Sequence, residues 1–182
     1  MPIMTDSAGP SPTDIAIVTL PPDRWDAYRD LRLAALRTDP IAFGETLDRA
    51  LAHPDALWRD RLADGDRLLR FAERDGRLVG LAGAIPDDDR PGVALIVSVF
   101  VEPSARGRGV ARRLVSTLLE ELADRDDVLT ARLFVNDTNA AAITVYASLG
   151  FAVVGVEPDG IQHAGRSYDE LIMERPVLPH HR

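Results

Sequence analysis

Residues 99–115 read VFVEPSARGRGVARRLV. An apolar run ends at Val101, a turn carries Gly107 and Gly109 between arginines, and a helical pattern begins at Val110. Strand, glycine turn and helix in that order gather unpaired backbone N–H groups at a helix N-terminus, where the dipole adds partial positive charge. Such a place binds phosphate. Glycine permits the tight turn and lets a ligand approach the backbone. Two familiar phosphate loops do not fit. The Walker pattern ends in Gly-Lys-Ser/Thr, and all 21 Lys/Arg positions here are arginine. The dinucleotide fingerprint wants a third glycine where Arg112 stands. On these residues alone a solvated Arg/Gly turn is an equal reading.

The pattern on either side sets the class. VALIVSVFV (93–101) is nearly continuous in apolar residues and predicts a central strand covered on both faces. Val110, Leu114, Leu118 and Leu122 recur at i, i+4 and predict a helix over 109–124. Upstream, DIAIVTL (14–20) predicts a strand. PPDRWDAYRDLRLAALRTDP (21–40) predicts a helix bracketed by prolines, and residues 45–64 a second helix interrupted at Pro54. RLLRFAERDGRLVGLAGAIP (67–86) predicts a hairpin turning at Arg74-Asp75-Gly76. Downstream come a strand over 128–136 and a helix over 138–150, capped by Thr138 or Asn139 and stopped at Gly150. Residues 151–158 and 167–178 predict two closing strands around a loop rich in Gly and Asp. This order gives a mixed α/β sheet, not an alternating doubly wound one.

Composition bounds the function. The 182 residues, 46% apolar, suit one domain. We read it as residues 14–177, between a disordered tail (1–13) and a short C-terminal tail (178–182). No apolar run can span a bilayer, and MPIMTDSAGPSPT lacks the basic and apolar regions of a signal peptide. The expectation is a soluble, cytoplasmic protein without a membrane partner. With no cysteine, disulfides, thiolate metal sites and a Cys nucleophile are excluded, and the four histidines lack zinc-site spacing, so no metal is expected. A net charge of −8 counts against sequence-independent nucleic-acid binding. The absence of lysine excludes a Schiff base.

The opening stretch resembles the acyl-CoA-binding motif of the GNAT N-acetyltransferase superfamily. That motif reads Arg/Gln-x-x-Gly-x-Gly/Ala, matched by Arg106, Gly109 and Ala111, after a strand ending Val101-Glu102-Pro103. A second family motif follows at the usual distance: Asn139-x-x-Ala142-x-x-x-Tyr146-x-x-x-Gly150-Phe151. YDELIMERPV resembles the family's last strand, and residues 39–62 resemble the helix pair found early in many members. Together these cover residues 14–177.

The resemblance implies a GNAT acyl-CoA N-acyltransferase fold, a central mixed sheet of about seven strands with helices on both faces. It implies acetyl transfer from acetyl-CoA to a primary amine through a ternary complex, first of all an amine of a small molecule. Alternatives are a protein N-terminus or lysine as acceptor, or a non-catalytic acyl-CoA-binding regulatory module. Amides from Gly107 through Arg108, Gly109, Val110 and Ala111 to Arg112 would hold the pyrophosphate, with Arg106 beside them. The main chain at Val99, Phe100 and Val101 would pair with the pantetheine arm in a gap between strands 93–101 and 128–136. An N–H there would stabilise the oxyanion. Asn139 is a good helix N-cap and by resemblance also touches the cofactor. Tyr146 alone reads as core; by resemblance it also meets the cofactor and protonates the departing thiolate. Strand 93–101 holds no carboxylate, so the base stays open among Glu45, Glu102, a water path past Ser98, or none. Glu45, Asp48, Asp87 to Asp89, Glu157 and Asp159 hint at a cationic acceptor. Many relatives are dimers, and that analogy allows a homodimer.

Overall fold

The computed structural model describes residues 14–178. The expected tail over 1–13 and most of the C-terminal one lie outside the described residues. The elements are β1 (Ala16–Val18), α1 (Trp25–Thr38), α2 (Leu47–Leu51), α3 (Asp55–Ala63), β2 (Leu68–Arg74), β3 (Arg77–Pro86), β4 (Val93–Val101), α4 (Val110–Ala123), β5 (Thr130–Asn136), α5 (Ala140–Ser148), β6 (Ala152–His163) and β7 (Arg166–Pro176). Pro54 is extended at ψ 152° just before α3, so α2 and α3 do not run as one helix.

One seven-stranded sheet takes the order β1-β2-β3-β4-β5-β7-β6. β4 and β5 are parallel; the other neighbours pair antiparallel. Helices cover both faces. On one, α4 buries Val110, Leu114, Val115, Leu118 and Leu122 against Ala84, Ile96 and Leu133. The i, i+4 spacing of those residues puts them all on one side of the helix. On the other, Tyr28 of α1 meets Trp58 of α3 edge to face at 5.2 Å, and Phe71 of β2 at 5.6 Å. The sheet is therefore an α/β mixed sheet of the expected class.

The closing hairpin differs from the sequence reading. The segment expected as a Gly/Asp-rich loop is strand: β6 runs to His163 and β7 starts at Arg166, with a register shift between Glu157 and Ile161. The turn is Ala164-Gly165, both at positive φ (50° and 75°). A two-residue turn of this kind favours Asn or Asp before Gly. Asp75-Gly76 (φ 52° and 76°) shows that signal, whereas Ala164 hides it.

Candidate active site

The turn after β4 presents its amides outward. Gly107 (φ 73°) and Gly109 (φ 72°) both stand in the left-handed region, and a Cβ at either would meet nothing within 4 Å. Conformation, not crowding, demands glycine, and the space before the turn is open. Gly109 caps α4 with no side-chain bond, and the first turn of α4 has no acidic residue. Among the described residues, none of the six amides from Gly107 to Arg112 donates a hydrogen bond; the first to do so is Arg113, to Gly109 O at 3.0 Å.

The arginines around the turn divide by task. Arg106 faces inward: Nε donates to Val101 O at 2.8 Å and Nη2 to Asp39 Oδ2 at 2.5 Å. Arg112 Nη1 donates to Ser148 Oγ at 2.7 Å, and Arg113 Nη1 to Ile15 O at 2.8 Å. These three hold the turn to its neighbours. Arg108 is exposed and makes no hydrogen bond or ion pair with the described residues.

β4 and β5 part beside this turn. They pair only over Val93–Leu95 and Thr130–Arg132, although both strands run on. The cause lies within β4. Ser98 sits at φ 58°, and Ser98 with Val99 oppose the single Ala82 of β3. Such a bulge bends the strand and increases its twist. Beyond Leu95, β4 has no strand partner on its β5 side. Val101 O is already held by Arg106, which leaves Val99 as the nearer free main chain.

α5 carries the second motif. Asn139 Oδ1 caps the helix by accepting from Ala142 N at 3.1 Å. Tyr146 is 7% exposed, its ring edge-on to Phe151 at 6.1 Å. Its hydroxyl bonds to no described residue, and burial pushes its acidity well below that of a free phenol, so it stays protonated at neutral pH.

A cleft of about 670 Å³ opens between the α1–α2 segment and the β6–β7 hairpin, with Leu36, Arg37, Phe43, Glu45, Ile161 and His163 in its lining. The segment is pinned over the parted strands by Arg106 to Asp39 and by Asn136 Nδ2, which donates to Ile41 O at 3.2 Å. Glu45 has both oxygens occupied. Oε2 accepts from Arg32 Nε (3.3 Å) and Nη2 (3.1 Å), and Oε1 lies 2.6 Å from His53 Nε2. Burial pushes the Glu45 carboxyl up, but the His53 hydrogen bond and the Arg32 guanidinium outweigh it and hold the group below the ordinary carboxylate value. The residue expected as a base is thus a strut of the cleft wall. Glu102, the other strand-end candidate, is ion-paired with Arg77 at 2.7 Å.

The acidic residues do not gather as expected. Asp87 to Asp89 lie in the β3–β4 turn, at the end of β4 away from the glycine turn. Only Glu45 and Asp48 line the cleft, and Glu45 is already compensated. Four features had no sequence signal: the Asn136 clasp, the Arg32 and His53 partners of Glu45, the left-handed Ser98, and the reach of the last hairpin. Each depends on residues distant in the chain or on a conformation unusual for its residue type. Among the described residues no group of three or more His, Asp or Glu is placed to hold a metal ion, and no helix is long and apolar enough to cross a membrane.

A family model described as Acetyltransferase (GNAT) family matches residues 25–151, which span both motifs. The chain belongs to that family. Two GNAT-type relatives fit this membership. The L-methionine sulfoximine/L-methionine sulfone acetyltransferase of Salmonella typhimurium is 29% identical, over 79% of this chain and 92% of its own length. The phosphinothricin N-acetyltransferase of Streptomyces coelicolor is 30% identical, over 77% of this chain and 79% of its own. The fold also matches the Salmonella typhimurium protein yncA, solved with its cofactor acetyl-CoA (TM-score 0.71, 24% identity, 92% of this chain and 96% of that one). This GNAT chain is an acetyl-CoA-dependent N-acetyltransferase.

Proposed function

We propose that the chain transfers acetyl from acetyl-CoA to a primary amine of a small molecule, by direct attack in a ternary complex with no covalent enzyme intermediate. Residues 14–177 act as one catalytic unit. The observation that carries the reading is the run of six unpaired amides, Gly107 to Arg112, at the uncapped start of α4 beside the parted strands. Six donors and a helix N-terminus fit a diphosphate. Arg108 supplies a free cation there, while Arg106 and Arg112 brace the turn. The pantetheine arm lies along Val99, Phe100 and Val101 in the gap, where a main-chain N–H also faces the oxyanion. Asn139 has its side-chain nitrogen left over from capping, free for the cofactor.

The cleft takes the amine. The acceptors in the names of the two relatives are small molecules, which supports an acceptor of that size. Arg37 lines the cleft and has no partner among the described residues, so an acceptor carrying an acidic group fits better than a polycation. The amine attacks the thioester carbon, the C–S bond breaks, Tyr146 gives its phenolic proton to the thiolate, and the proton shed by the amide nitrogen restores the phenol. A thiol-release assay with acetyl-CoA and a panel of amines, peptides included, tests this. Release with a small amine supports the proposal, and release with peptides alone moves the acceptor to proteins. Cofactor binding without release on any amine leaves an acyl-CoA-binding module.

A further inference from the structure

The alkyl ammonium must lose a proton before it attacks, and the carboxylates expected for that task are engaged elsewhere: Glu45 by Arg32 and His53, Glu102 by Arg77. One half-buried carboxylate on the cleft face is not. Glu170 lies on β7, paired with Asn136 of β5 on one side and Glu157 of β6 on the other. Its neighbours Leu171 and Met173 pack into the α4 core. Alternation along the strand therefore turns Glu170 to the opposite face, the face of the α1–α2 segment. Asn136, its cross-strand partner, proves that direction by binding Ile41 O, and stands where β5 runs on without β4. The Glu170 carboxylate rests on Gly160, a cleft-lining residue: Oε2 lies 2.6 Å from where a Cβ would be. The Glu170 side chain makes no hydrogen bond or ion pair with the described residues.

From this geometry we infer that Glu170 takes the proton of the acceptor ammonium. The inference rests on the acetyl-transfer reading above. An N–H bond of the ammonium breaks, and its proton passes to Glu170, directly or through one water. The freed lone pair forms the C–N bond as the C–S bond breaks, and Tyr146 protonates the sulfur. The new amide nitrogen sheds its surplus proton, which restores the Tyr146 phenol through solvent, and Glu170 returns its own proton to solvent. Its surroundings suit a base. Burial pushes the Glu170 carboxyl up, and the like charge of Glu157 pushes it further. A raised value makes the carboxylate a stronger proton acceptor. Besides Glu157, the groups on its face are Asn136 from β5, Tyr168 and Ile172 on β7 and, further along the hairpin, Arg166 and the cleft-lining His163. Across the cleft stand Arg37, Asp48 and the compensated Glu45.

The test is the pH dependence of kcat/KM for the amine, measured on the full chain with two amines of different basicity. Wild type should show an acid limb with a midpoint above the ordinary carboxylate value, at the same pH for both amines. Glu170→Gln should lower kcat about 100-fold, leave the acetyl-CoA Kd unchanged and abolish that limb. Formate should restore part of the turnover of Glu170→Ala. Glu157→Gln should keep turnover and move the limb to lower pH, because it removes the like charge. A Glu170→Gln enzyme with wild-type kcat and limb, or a Glu157→Gln limb that does not move, overturns the inference. If Glu170→Gln fails to fold, the Glu157→Gln limb decides. Wild type without thiol release on any amine overturns the acetyl-transfer reading itself, and this inference with it. Release by wild type with an unaltered Glu170→Gln profile sinks this inference alone.

Discussion

At the residue scale, two side chains of the sequence reading take opposite courses. Tyr146 of α5 is buried edge-on to Phe151, with its hydroxyl unbonded to any described residue and its proton held by burial. Replacement by Phe keeps the ring and removes only the hydroxyl that carries the proton. Steady-state kinetics of Tyr146→Phe should show kcat lowered about 100-fold, with acetyl-CoA binding by calorimetry unchanged. Glu45 instead stabilises structure. Its folded value lies below the ordinary carboxylate value of 4.5. Its contribution is therefore complete above that pH and is lost as pH falls through the depressed value. Thermal melts against pH should show wild type losing stability more steeply than Glu45→Gln below pH 4.5. Sequence could nominate Glu45 as a carboxylate near the acceptor. It could not show that Arg32, thirteen positions away, and His53 occupy both oxygens.

At the element scale, β4, the glycine turn and α4 were all legible, because each is written in contiguous residues: an apolar run, two glycines and an i, i+4 ladder. The bulge was not. A serine at φ 58° inside a strand follows from the packing of its neighbours and not from its own preference. The unpaired amides are directly observable. Adding acetyl-CoA should slow hydrogen exchange at 107–112 while amides within α1 stay unchanged. Gly109→Ala forces a Cβ into the left-handed region, at a cost of roughly 1–2 kcal/mol. It should weaken acetyl-CoA binding through the shifted turn and lower Tm as well.

At the scale of the whole molecule, the sheet is secured mainly from the α4 side. Leu114 is fully buried, with Cδ1 3.3 Å from the Cβ position of Gly80 on β3. Leu114→Ala should cost about 2–5 kcal/mol by denaturant unfolding. Saturating acetyl-CoA at 100 times its Kd should return about 2.7 kcal/mol of that loss. Of the order β4-β5-β7-β6, family resemblance implied only that strands 93–101 and 128–136 are neighbours. No local pattern states that β7 enters between β5 and β6, since strand order depends on long-range pairing.

Arg106 joins the end of β4, beside the proposed cofactor turn, to Asp39 in the segment that walls the proposed amine cleft. On the proposed reading the two substrates are thereby linked through this guanidinium. Whatever tightens the turn around one co-substrate also settles the wall that greets the other, and reciprocity makes the benefit equal in both directions. Each co-substrate should therefore bind more tightly when the other is present, and severing that guanidinium should leave two sites whose affinities no longer depend on one another.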